Sequence, residues 1–452
     1  MIKRNLQQME GSIMKKKRRG VSLGTIFMLA LTAVVVALCV LFLSIIAGEG
    51  LYEKTEELIR TLSQEGMFTP EGTPDPQDEA EGAAWAAAFS FIEEEQTPVP
   101  TAPPPTPTPV PEPVTVHLAA AGAIYAPKAV RESAQEGEGF DFGRTFEGLG
   151  AVLSEADLAI ATLETTTAGR EKGFGNYNTA PEILDGLRGS GIDLLSLGTE
   201  RALDKGYEGL ELTVSELTAR GLAYAGVELE GYSGRATMMR VQGVQIAVLA
   251  YSYGLSGDSE EKTKEDSRGV LAKMSTKRMI DDITRARVEG ANLVVVLPHW
   301  GTKNKLETAD TVRYTARTLA EAGADVILGT HPNVPQGTEI LTVTRSDGLT
   351  YRTAVCYSLG NLLTDARTRE NTAGMIAHVI VTYDPLTRRT TLDTLYCTPV
   401  YIARQKEDGE TVYRVVDAES QEALSLLTQS EQEKAGEAAE MIRSIAGEEG
   451  QG

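Results

Sequence analysis

Apolar and polar positions along this chain fall into distinct regimes. Between Val21 and Ala47 runs a 27-residue stretch without a charged side chain, rich in Leu, Val, Ile, Ala and Phe. At about 1.5 Å per residue in a helix, roughly 20 residues cross a hydrocarbon core, so the stretch predicts one transmembrane helix over 21–47. From Val114 onward the pattern changes to short β-branched runs separated by amphipathic segments. Strands are predicted at Val114–Ala121, Leu158–Leu163, Leu194–Leu197, Val244–Tyr251, Leu293–Leu297, Val326–Leu328, Val355–Ser358 and Ile376–Tyr383. Helices are predicted at Gly143–Glu155, Pro181–Gly189, Gly209–Arg220, Lys277–Glu289 and Thr311–Ala322. The alternation implies an α/β domain in which helices cover strands buried on both faces. Around Ser420–Ile445 the chain is polar, with apolar positions at Leu424, Leu427, Ala435, Ala438, Met441 and Ile442, and reads as a surface helix or a frayed tail.

Charge orients this layout. The first 20 residues carry seven bases and one acid, so they are +6 within a chain of net charge -21, which leaves -27 for the rest. A basic flank before a membrane span stays in the cytoplasm, which places everything after Gly48 outside. A cleaved signal peptide fits less well: its apolar region is usually about 7–15 residues, and Ile45-Ile46-Ala47 lacks the small residue that opens a cleavage site. Twelve of the 19 prolines lie between Pro70 and Pro113, and each fixes φ and lacks an N–H, so this spacer should be an extended stalk of about 3.1 Å per residue. The organisation read from the sequence is a basic tail (1–20), a membrane helix (21–47), a spacer (48–113), an α/β domain (114–403) and a polar tail (404–452). So acidic a chain is a poor partner for nucleic acid, whose binding is driven by Lys and Arg displacing counterions. The cysteines Cys39, Cys356 and Cys397 lack metal-site spacing, which excludes a thiolate metal centre and leaves a Cys356–Cys397 bridge open.

Ligands of α/β folds collect at the carboxyl ends of strands, so the residues just after each strand run are the candidates for chemistry. His299 opens His299-Trp300-Gly301 after one run, and His331 opens His331-Pro332-Asn333 after another. A neutral imidazole at a strand end suits metal ligation or acid/base work, and two at equivalent ends point to a shared site. His117 and His378 lie inside strand runs and read as structural. Other strand ends bring Gly122-Ala123, Glu164, the Gly198–Asp204 segment with Glu200 and Arg201, and the Tyr357–Asn361 segment. Glu164, Glu200 and Asp204 are candidate metal ligands or acid/base groups, and Asp204 is also placed to cap the helix that follows.

From about Val114 to Leu362 the chain resembles the CapA family of capsule and poly-γ-glutamate synthesis proteins. The resemblance rests on Ala156-Asp157-Leu158 leading to Leu163-Glu164, on Asn178–Glu182, on Gly191-Ile192-Asp193 leading to Leu203–Gly206, on His299-Trp300-Gly301, on Ala322–Gly329, on His331-Pro332 and on Tyr357–Asn361. It implies a metallophosphatase-like α/β/β/α sandwich held outside the cell by an N-terminal anchor.

The chain departs from the family pattern where metal would be held. Gly122-Ala123 stands for Gly-Asp, Thr162 for the Asn of Asn-Leu-Glu, and Thr199-Glu200-Arg201 for Asn-Asn-His. Lys303 replaces a Glu, and Gly329-Thr330-His331-Pro332-Asn333 replaces Gly-His-His-Pro-His. A two-metal hydrolytic site needs carboxylates and imidazoles converging on both ions, and Arg201 would set a cation at short range from them. Two readings follow. In one, a remnant site built on Glu164, Glu200, His299, His331 and Asn333 acts on phosphate or γ-glutamyl bonds, with one divalent ion (Mn²⁺ or Zn²⁺, on Glu164, His299 and His331) or none. In the other, which the ligand count favours, the domain is a pseudoenzyme. Its cleft, with Glu200, Arg201, Asp204, Trp300, Lys303, Asn333 and Asn361, would bind an anionic envelope polymer, or the domain would serve membrane synthase subunits as a structural partner.

Overall fold

A computed structural model describes residues 111–264 and 268–446. The apolar stretch 21–47 and the proline-rich spacer up to residue 110 lie outside the described residues, and among the described residues no helix is long and apolar enough to cross a membrane. In chain order the strands are β1 (Val114–Ile124), β2 (Gln135–Glu136), β3 (Gly139–Phe140), β4 (Leu158–Leu163), β5 (Leu194–Ser196), β6 (Ala223–Ala225), β7 (Thr237–Val241) and β8 (Val244–Ser252). They continue with β9 (Leu293–His299), β10 (Val326–Leu328), β11 (Pro335–Thr344), β12 (Thr350–Leu359), β13 (Asn361–Leu363), β14 (Ala373–Asp384), β15 (Arg389–Glu407) and β16 (Glu410–Asp417).

Two sheets face each other. The first runs β16-β15-β14-β1-β4-β5-β6, with β13 beside the end of β1; the second runs β11-β12-β10-β9-β8-β7. Within the first sheet β1, β4, β5 and β6 are parallel, and β14–β16 return antiparallel. In the second, β8, β9, β10 and β12 are parallel, with antiparallel β7 and β11 at the edges. Alternate residues decide which layer is filled. Val116, Leu118 and Ala120 of β1 meet Val248 and Val295 between the sheets. Ala119 and Ala121 turn outward under helices such as Ile183–Gly189 and Gly206–Ala219. The outer face of the second sheet, including Val294, Val296 and Ile327, packs beneath Thr276–Val288 and Asp310–Ala322. The result is the expected α/β/β/α sandwich.

Three expectations need correction. The helix predicted over Gly143–Glu155 is two short helices, Gly143–Phe146 and Gly150–Ser154. The domain does not end at Ala403, which lies inside β15, paired to Arg414 of β16. The segment read as a surface helix or frayed tail is a helix, Gln429–Ala446, whose Ala435, Ala438, Ala439 and Ile442 complete the core between the sheets. Its stripe consists mostly of alanines, whose small apolar area gives a weak signal until facing strands are in place. Cys356 of β12 and Cys397 of β15 meet across the two sheets as buried free thiols.

Candidate functional site

The parallel strands of both sheets deliver their carboxyl ends to one end of the sandwich. His299 closes β9, and Thr330, next to His331, bridges to it in parallel register. Two glycines let the backbones approach. A Cβ at Gly329 would collide with the Tyr357 carbonyl and the Trp300 ring nitrogen, and one at Gly122 with the Gly360 carbonyl. His331 and Asn333 hold left-handed backbone angles, φ 101° and 60°. Such strain in non-glycine residues persists only where surrounding structure imposes it.

The two buried imidazoles face each other: His331 Nδ1 lies 3.2 Å from His299 Nε2, and His299 Nδ1 lies 3.1 Å from Thr330 Oγ1. Burial pushes His299 well below its ordinary range and His331 down to about 4, so both are neutral at pH 7.

Beside them lies a compact ionic cluster. Glu200 Oε1 accepts from Lys303 Nζ at 2.6 Å, and its Oε2 accepts from the Tyr253 hydroxyl. Arg201 Nε stands 3.2 Å from the same Oε1 but is not aligned to donate to it, while Arg201 Nη1 lies 3.3 Å from Asp204 Oδ2. The guanidinium also covers the Tyr177 ring at 3.7 Å. Burial alone would raise Glu200, but hydrogen bonds from Lys303 and Tyr253 outweigh it and hold the carboxyl below its usual range. Glu164, just past β4, is different. It is buried with Oε2 unpartnered, and burial lifts it to about 7.

The predicted residues divide accordingly. Glu164, Glu200, Arg201, Asp204, His299, Lys303 and His331 form one neighbourhood, and Glu200, Arg201, Lys303 and His331 line an open cleft of about 480 Å³. Asp204 does not cap the helix Gly206–Ala219. Its Oδ1 accepts from the hydroxyls of Ser256 and Ser259, tying in the helix Gly257–Thr263. Trp300 is turned away: its ring packs in the outer core and its Nε1 donates to the Tyr357 carbonyl at 2.9 Å. Asn361 is a brace, its Nδ2 donating to the carbonyls of Asn333 and Asn371, while Asn333 Oδ1 is buried without a partner. His117 and His378 join each other at 3.0 Å and serve the first sheet. Sequence reading missed Tyr253, half-exposed over His331 with ring centroids 4.6 Å apart. It lies one residue past β8, so the strand-end rule, applied there, finds it. Tyr177 carries no such signal.

These residues do not suit a pair of divalent ions. Both oxygens of Glu200 already accept from Lys303 and Tyr253, the two imidazoles are paired nitrogen to nitrogen, and two fixed cations stand among the carboxylates. Among the described residues no three His, Cys, Asp or Glu side chains are arranged to hold a metal ion.

A layered sandwich with its cleft at the strand ends is the architecture that the CapA resemblance implies. The chain belongs to the family described as bacterial capsule synthesis protein PGA_cap, whose profile matches residues 117–366, more than half of the chain. It is 30% identical over 201 residues to the PGA biosynthesis protein CapA of Bacillus subtilis (strain 168), covering 43% of this chain and 50% of that one. It is 27% identical over 189 residues to the capsule biosynthesis protein CapA of Bacillus anthracis, covering 41% and 43%. The chain thus spans about half the length of the curated relatives it matches. Among solved structures it is similar to the calcineurin-like phosphoesterase YfkN of Bacillus subtilis, with 12% identity, TM-score 0.40, and 72% of this chain and 99% of that one covered.

Proposed function

We propose that this protein is a membrane-anchored, extracytoplasmic component of capsule or poly-γ-glutamate synthesis that binds or scaffolds instead of hydrolysing through two metals. Family membership and the names of its relatives support the capsule role. The observation that carries the non-hydrolytic reading is the Glu200–Lys303–Arg201–Asp204 cluster, in which the chain supplies its own cations to the carboxylates. Such fixed cations neutralise the carboxylates but offer neither an open coordination position nor a bound water of lowered pKa. An anionic ligand in this cleft competes with Glu200 for Lys303, the more open of the two cations at 36% side-chain exposure against 15% for Arg201. Binding there is therefore local and salt-sensitive.

A second reading has one observation in its favour. Glu164, near neutrality with a free oxygen, and two uncharged imidazoles are suitable groups for proton transfer on a phosphate or γ-glutamyl bond.

Metal analysis and activity assays on the purified full chain separate the two. Fewer than two equivalents of Mn²⁺ or Zn²⁺ and little phosphodiesterase turnover are expected. Two tightly bound ions, lost together in the His299→Ala/His331→Ala double variant, would overturn the non-hydrolytic reading. Calorimetry against poly-γ-glutamate and anionic wall polymers then tests binding, and no heat with any of them leaves the scaffold role.

A further inference from the structure

The end of the sandwich opposite the cleft carries a second feature. There a pocket of about 270 Å³ is lined by Arg287, Arg345, Arg388 and Arg389. Two of these arginines are committed. Arg287 Nη2 and Arg345 Nη1 hold the two oxygens of buried Asp325 at 2.5 and 3.0 Å, which fixes the floor of the pocket. The other two stand on the exposed tip of the β14–β15 hairpin. Arg389 lies over the Tyr351 ring at 5.0 Å, and Arg388 has no acidic partner among the described residues.

The acids at this end include Asp325, Glu321, Asp347 and Asp384, together with exposed Glu289 beside Val288 and exposed Asp393 on β15, which accepts from the Thr382 hydroxyl. Asp347 accepts from the Leu349 amide and the Tyr351 hydroxyl, and Asp384 from the Leu386 amide and the Thr387 hydroxyl, so both close their own turns. Beside the arginines the same turns expose apolar side chains. Leu386 is 64% exposed, Leu349 44% and Val288, at the end of the helix Thr276–Val288, 82%; these are three of the six large apolar side chains exposed among the described residues. The chain also enters the domain here: Val114 pairs with Tyr383 and Asp384 with Arg389, whereas β1 runs away toward the cleft.

We propose that this end docks on an anionic phospholipid surface, with Arg388 and Arg389 on the headgroups and Leu349, Leu386 and Val288 entering the interfacial layer. Leucines and arginines on adjacent turns match the chemistry of that interface. The remaining acidic surface is screened beyond about 8–10 Å at physiological salt, so the local patch decides the orientation. A weak surface is sufficient, because the proposed anchor confines the domain near the same membrane, at an effective concentration set by the length and stiffness of the spacer. The inference rests on the proposed anchorage but not on any role of the cleft.

Hydrogen–deuterium exchange of the full chain tests it, in nanodiscs of phosphatidylglycerol and phosphatidylcholine against pure phosphatidylcholine. In the anionic discs the amides of 345–351 and 386–389 should exchange about fivefold more slowly. The protection should vanish at high salt and in the Arg388→Glu/Arg389→Glu variant, and weaken in Leu386→Ser; Leu386 and Arg388 are exposed turn residues and Arg389 is the exposed first residue of β15. Equal exchange in the two discs overturns the docking, whatever the cleft does. Protection of the same turns by soluble poly-γ-glutamate in neutral discs would assign the patch to the polymer and equally overturn it.

Discussion

Glu164 and the buried histidines titrate in opposite senses. A carboxyl moved from 4.5 to about 7 keeps its proton in the folded state after the unfolded chain has lost it. Its contribution is therefore full below about 4.5 and is lost as pH rises toward 7. His331 and His378, moved from 6.5 to about 4, contribute fully above 6.5 and lose that contribution as pH falls toward 4, and His299, pushed well down by burial, acts in the same sense. Three imidazoles outnumber one carboxyl, so these groups should destabilise the domain on acidification from 6.5 to 4. Glu164→Gln should make that acid limb steeper, read as the urea midpoint between pH 4.5 and 7; an unchanged slope would show that Glu164 is ionised when folded. The strand-end rule picked out Glu164, Glu200, His299 and His331 because backbone direction alone brings those positions to one place. It could not tell that Trp300 turns into the core, or that Asn361 braces a loop, because a side chain's direction at a strand end depends on what packs against it.

At the scale of elements, the α/β half of the domain was legible, as were β12 and β14, but β15, β16 and the place of the final helix were not. Runs such as Leu293–Leu297 and Val326–Leu328 are apolar on both faces and announce buried strands. β15 and β16 mix Arg, Thr and Gln into their alternation, and the final helix shows mainly alanines, yet Ile442 and its neighbours are as buried as β1. Tyr401 and Glu431, hydroxyl to carboxylate at 2.7 Å, fasten that helix to β15. Ile442→Ala should lower the unfolding free energy by about 2–5 kcal/mol, the usual cost of emptying a buried aliphatic site. Were the helix a surface tail, the denaturant midpoint would move by no more than about 0.5 kcal/mol equivalent.

For the whole molecule, the cleft and the arginine-bearing end lie at opposite ends of the strands, and the chain enters at the latter. If the anchor and orientation inferred from the basic flank and the apolar stretch hold, protease added to intact cells should digest the α/β domain while a cytoplasmic control survives; an immunoblot with the domain protected would reverse the topology. The sequence by itself determined the α/β class, the anchored layout as an expectation, the family and the strand ends where chemistry would gather, since composition, period and order are local properties of the chain. Only the tertiary structure decided that Lys303 and Arg201 are already paired with Glu200 and Asp204, that the last helix belongs to the core, and that Leu349, Leu386 and Val288 share an end with four arginines. Apart from Arg201 and Asp204, which are three positions apart, these contacts join residues tens to hundreds of positions apart, and their energies depend on burial and distance, which exist only once the chain has folded.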